Sequence, residues 1–87
     1  MSGVSLPHAI YRVRDERLRQ DEKWGEQNHS PEVWIRILGE EFGEVCAAAN
    51  ESELVDYKHE LIQVAAVAVA AVESLERQVR QGLGGES

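Results

Sequence analysis

Apolar side chains recur along the chain at helical spacing, and no stretch alternates in the manner of a strand. Leu6, Ile10 and Val13 share one face of a first segment. Trp34, Ile37, Leu38, Val45 and Ala48 form a stripe on a second when successive residues are turned by about 100°. From Leu61 to Val72 only Gln63 interrupts the apolar residues, so a third segment is expected to be covered on nearly all sides and to act as the central strut. Punctuation agrees with three helices. Ser5 with Pro7 reads as the start of the first, and Ser30-Pro31-Glu32 as the start of the second. The second should run to about Ala49, with Asn50 as a left-handed terminator. Ser52 is expected to cap the third, from near Glu53 to about Gln81. Gln20 to His29 reads as a loop dense in hydrogen-bonding groups. The expectation is one all-α domain over residues 1–81, followed by a glycine-rich tail, 82–87, expected to be disordered.

Charged residues interrupt these stripes at particular places. Glu41 falls in the middle of the Trp34–Ala48 stripe, and Glu44 lies about 60° to one side of it. Glu60 is in line with Tyr57, Val64, Val67 and Ala71, and Gln63 follows it at i+3. Ionised carboxylates buried beside one another cost several kcal/mol each unless a positive charge is supplied. A divalent cation answers that need: Mg²⁺, or Mn²⁺, takes hard oxygen ligands, here from Glu41, Glu44, Glu60 and Gln63. The alternative is that these acids are exposed or ion-paired with Arg17, Arg36 or Lys58. Arg17 itself continues the face of Ile10 and Val13, which turns a guanidinium inward or lays its stem over the core edge. Gly39 and Gly43, four apart, leave room for a helix or ligand to approach closely.

Composition narrows the partners. Eighty-seven residues bury only about 60 to 65% of the surface of the unfolded chain, so a second copy is expected over the apolar third helix, giving a homodimer or homotetramer. A net charge of -7 argues against a nucleic-acid polymer. Arg12, Arg14, Arg17, Arg19 and Lys23 nevertheless crowd one segment, which suits a small phosphorylated ligand. Cys46, the only cysteine, supports neither a disulfide nor a zinc cluster and reads as a small core residue. His59-Glu60-Leu61-Ile62-Gln63 lacks the second histidine of a zinc-protease helix. There is no signal-peptide pattern, and the Val64–Val72 run is too short for a membrane span, so the expected location is the cytoplasm and no membrane partner is expected.

The loop carries Trp24, Gln27, Asn28 and His29, equipment for stacking on a base and reading its edge, although a tryptophan there can also pin a loop to a bundle. Glu40-Glu41-Phe42-Gly43-Glu44, fifteen residues, then Glu60-Leu61-Ile62-Gln63 resembles the E-E-x-x-E…E-x-x-D signature of MazG-like, all-α nucleoside triphosphate pyrophosphohydrolases. Glu16, Arg19-Gln20, Lys23-Trp24-Gly25-Glu26-Gln27, His29 and Trp34 look like a short bacterial and phage-type subgroup of it. The resemblance spans roughly residues 10 to 75 and implies a four-helix-bundle-like fold completed by homo-oligomerisation. It also implies Mg²⁺-dependent hydrolysis of a (d)NTP to the monophosphate and pyrophosphate. Glu41, Glu44 and Glu60 match metal-ligand positions, and Glu40 matches an acid that orders the attacking water. Gln63 stands where the family has aspartate. On this view Arg17 and Lys23 contact phosphates, while Trp24, Gln27 and Asn28, with Gln20, complete the substrate contacts. Two rival classes are a non-catalytic nucleotide- or metal-binding oligomer that lost turnover through Gln63, and a purely structural bundle.

Overall fold

A computed structural model describes residues 4–82, all of whose regular structure is helical: α1 (Ser5–Trp24), α2 (Pro31–Asn50) and α3 (Leu54–Arg80). α3 packs against both of the others, while α1 and α2 do not pack on each other. Trp34 shares a groove with Ala71 and Leu75, whereas Glu44 near the other end of α2 meets Glu60, so α2 runs antiparallel to α3. Ala9 and Val13 lie by Leu61 and Ile62, and Arg17 reaches Glu73, so α1 runs parallel to it. The course is up, down, up, with a cleft left between α1 and α2. No described helix is long and apolar enough to cross a membrane.

The stripes expected on α2 and α3 do face inward, Trp34, Val45, Ala48, Ala66 and Val67 being the buried apolar residues among those described. The face expected on α1 does not: Leu6 and Ile10 are exposed and Val13 is half-buried, because the first turns of α1 overhang α3 with no helix on their other side. Four polar residues, Glu16, Arg17, Gln20 and Ser74, are buried with the apolar ones. A core this thin and this polar contributes little hydrophobic stabilisation. α3 is the strut, as its pattern predicts, but one side of it is bare in the single chain: Leu61, Val72, Leu75 and Val79 remain exposed. Cys46 is exposed too, not a core residue as its alanine-rich setting suggests, because it lies one position past the inward Val45. Nothing lies within 4 Å of a Cβ built on Gly39 or Gly43, so no neighbour within the chain uses the room they leave.

Helix ends depart from the expectations in definite ways. Ser30 caps α2, its Oγ accepting from the Val33 amide at 3.4 Å, with Pro31 in the first turn. Ser5 caps nothing; it is the first residue of α1, and Val4 occupies the cap position. Half of the expected loop is helix. α1 continues through Gln20 to Trp24, because Glu16, Arg17, Arg19, Gln20 and Asp21 satisfy one another at i, i+3 and i, i+4. Gly25, at φ 76°, stops it with its N–H on the Asp21 carbonyl at 2.7 Å. Asn50 stays helical and the reversal falls on Ser52, at φ 59°, so Ser52 is the left-handed residue and not the cap of α3; Glu53 takes the cap position without a side-chain bond. α3 ends at Arg80, one residue short of Gln81. Of the tail expected to be disordered, residues 83–87 lie outside the described residues.

A non-glycine residue in the left-handed region is strained by roughly 1 to 2 kcal/mol, while glycine adds entropy to the unfolded chain. Ser52→Gly is therefore expected to raise stability by about 0.5 to 1 kcal/mol in urea denaturation.

Candidate functional site

Glu41 and Glu44 are one helical turn apart on α2, and the short reversal at 51–53 brings Glu60 of α3 beside them. Their carboxylate oxygens all come within 4.8 Å of one another, with Glu41 and Glu60 half-buried and Glu44 exposed. Burial pushes the Glu41 carboxyl above its ordinary value of 4.5, and the charges of Glu44, Glu60 and Glu40 add to the effect. Burial also raises Glu60, followed by hydrogen bonding with and repulsion from Glu44. These are three acids that destabilise one another when ionised. Ligands about 2.1 Å from an octahedral Mg²⁺ are at most about 4.2 Å apart. Only one pair of three ligands can stand opposite and adjacent ones are about 3.0 Å apart, so the three oxygens, within 4.8 Å of one another, must draw together by up to about 1.8 Å to share such an ion. Carboxylate oxygens are donors that a hard cation takes.

Glu40 is exposed next to Glu41 and outside this cluster. Gln63, expected as a fourth oxygen, has its Oε1 accepting from Gln20 Nε2 at 3.3 Å, which leaves that oxygen one further lone pair. Gln20 belongs to a polar network linking α1 to α3. Glu16, held below the ordinary carboxylate value by its hydrogen bonds from Arg19, also accepts from Gln20. Arg17 donates to Gln20 at 3.2 Å, to Asp21 at 2.9 Å and to Glu73. Burial opposes its charge, but the bonds to Glu73 and Asp21 prevail and raise its pKa.

A cleft of about 180 Å³ opens between α1 and α2 over this network. Glu41 is on its wall, so the acid cluster and the cleft adjoin. Arg17, Gln20, Trp24, Gln27, Trp34 and Gln63 also line it. Its walls thus combine two indoles with amide and guanidinium groups, the mixture that holds a flat polar ligand. The chain matches no protein-family model, no curated protein and no solved structure among those compared.

Two expected contacts sit elsewhere. Lys23 lies over the exposed Trp24 ring, 4.9 Å from its centre, and is not on the cleft wall. Asn28 faces the bundle end, its Oδ1 accepting from Arg77 Nε at 3.1 Å and its Nδ2 donating to Glu26. Arg77 was legible only as part of an amphipathic helix end, yet it lines the cleft, bonds the Gln27 carbonyl at 3.1 Å and pairs with Glu26 at 3.3 Å. Helical spacing could have found it, since Gln63, Ala70 and Arg77 stand seven apart on one face. Glu73, the partner of Arg17, follows Ala66 in the same way.

Proposed function

We propose that the chain is a Mg²⁺-dependent nucleoside triphosphate pyrophosphohydrolase of the MazG-like kind, acting as a homo-oligomer. One observation carries this: three carboxylates from two helices cluster together, and one of them, Glu41, is on the wall of a cleft that also holds two tryptophans and two arginines. Glu41, Glu44 and Glu60 are the residues that would hold the cation, which supplies screening of the phosphate oxygens. Glu40, exposed at the next position, takes the proton of the attacking water. The new bond forms from that water to the α-phosphorus, and the bond to the bridging oxygen breaks to release pyrophosphate. Trp24, half exposed, offers a face to the base over the buried Trp34 of the cleft floor, and Gln20 and Gln27 offer amides to its edge. Arg17, committed to Asp21 and Glu73, and Arg77, committed to Asn28, Gln27 and Glu26, position the walls, which leaves Lys23, over the Trp24 ring and outside the cleft wall, to reach phosphates.

A second reading, binding without turnover, is favoured by Gln63, whose oxygen is engaged by Gln20 and whose neutral amide brings one negative charge fewer than aspartate. Incubation with each nucleotide and Mg²⁺ or Mn²⁺, with pyrophosphate as readout, tests both. Release from at least one nucleotide is the expected result. Calorimetric binding without product, with turnover gained by Gln63→Asp, would establish the second reading instead. Neither binding nor product from folded protein would leave a structural bundle.

A further inference from the structure

On α3 the bare side has an order of its own. Leu61, Ala65, Ala68, Val72, Leu75 and Val79 follow one another at spacings of four, three, four, three and four, the repeat of a helix–helix seam. Leu61, Val72, Leu75 and Val79 are 43 to 55% exposed, Ala68 is exposed and Ala65 half-buried. The same spacing extends backwards through Lys58 to Leu54, which is 76% exposed. α1 and α2 occupy the two flanks of α3, and this stripe runs between them on the side opposite the cleft, with Lys58, Leu61 and Ala65 bordering a groove against α1 and Leu75 a groove against α2. Its 27 residues make a rod of about 40 Å.

We infer that α3 of one copy packs antiparallel against α3 of a second copy along this stripe. The pattern is complementary to itself in that direction. With the two-fold axis between residues 66 and 67, Ala65 meets the partner's Ala68, Leu61 meets the partner's Val72, and Leu54 meets the partner's Val79. Small alanines at the centre let the two rods approach, and larger side chains fill the ends. The charges choose the direction. Lys58 falls beside the partner's Leu75 and Glu76, an opposite charge, whereas a parallel pairing in register sets Lys58 against Lys58 and Glu76 against Glu76. Neither residue has an ion pair within the chain among the described residues. Opposed helix dipoles favour the same direction. The inference rests on the homo-oligomer proposed above and not on the nucleotide chemistry, so its test uses no nucleotide.

Light scattering of the full chain is expected to give twice the 9.7 kDa of one copy or a multiple of that. Ala68→Arg, at an exposed position, should weaken association at least 100-fold while helical circular dichroism is retained. Lys58→Glu should weaken it about tenfold, and adding Glu76→Lys should restore it. In a Cys46→Ser background, a mixture of Leu54→Cys and Val79→Cys chains should cross-link on mild oxidation, and Leu54→Cys alone should not. A monomeric wild type would overturn both the inference and the oligomer. An oligomer indifferent to Ala68→Arg would overturn the α3 interface and leave the oligomer standing; cross-linking by Leu54→Cys alone would overturn the antiparallel direction.

Discussion

Glu41→Gln is expected to cut pyrophosphate release at least 100-fold, by analogy with the loss of a transition-state electrostatic group, and yet to raise the melting temperature in chelator. The two effects have one origin. Two unit charges 4.8 Å apart repel by about 1 kcal/mol even at the dielectric of water. Replacing one of the three acids removes repulsion of that order, equivalent to about 4 to 8 °C in a domain of this size. Mg²⁺ should raise the wild-type midpoint, because a ligand of the native state stabilises it by mass action, and should raise that of the variant much less. A variant that melts no higher than wild type in chelator, or that responds equally to Mg²⁺, contradicts the proposed cation site.

Acid should act in the same sense as the substitution. Glu41 and Glu60 hold protons more tightly folded than unfolded, so the stability contributed by their protonated forms is complete below the ordinary 4.5 and is lost as pH rises through their raised values. Glu16 runs the opposite way: its contribution is present above 4.5 and is lost as pH falls through its lowered value. Melting in chelator across this range should therefore show a maximum on the acidic side of neutrality. Added Mg²⁺ should flatten the fall towards neutrality by competing with protons for the same oxygens.

Glu73→Ala is expected to cost the fold about 3 kcal/mol, because it strips a partner from a guanidinium that stays buried. The Arg17 side chain is only 10% exposed, and its Nε has no partner even in the intact protein. Arg17→Met should cost about 1 kcal/mol, since the acids it abandons, Asp21 and Glu73, are 51 and 40% exposed and can rehydrate. Urea denaturation of the two variants measures the asymmetry. Equal losses, or a larger loss for Arg17→Met, would mean that stem packing outweighs the ion pair. A loss of 3 kcal/mol is a large share of the roughly 5 to 15 kcal/mol that holds a small domain together.

The parts of this fold legible beforehand were those governed by periodicity. Trp34, Val45 and Ala48 lie inward with Glu41 half-buried among them, because a helix's angular step is constant and each residue's face follows from its index. Ser30 and Pro31 marked a helix start because capping is a contact within one turn. Ends set by longer reach were misplaced. Gln20–Trp24 reads as a loop from its polar composition; the segment stays helical because the i, i+3 and i, i+4 bonds among Glu16, Arg17, Arg19, Gln20 and Asp21 are held in place by the anchoring of Arg17 and Gln20 to Glu73 and Gln63, 56 and 43 residues away. Ser52 in place of Asn50 as the left-handed residue is likewise set by where α3 must return against α2.

By itself the sequence determined three helices, the inward stripe of α2 and the carboxylates at helical spacing within it, since each is a matter of rotation about one axis. The face expected on α1 is not inward, because Leu6 and Ile10 are exposed and Glu16, Arg17 and Gln20 are what α1 buries. Tertiary structure alone decided that α1 and α2 stand apart over α3, that Glu60 comes within 4.8 Å of Glu41 and Glu44, and that Glu73 rather than a ligand answers Arg17. Those are distances between separate rods, and they depend on how side chains from different segments fill the space between them, which no single helix's periodicity contains.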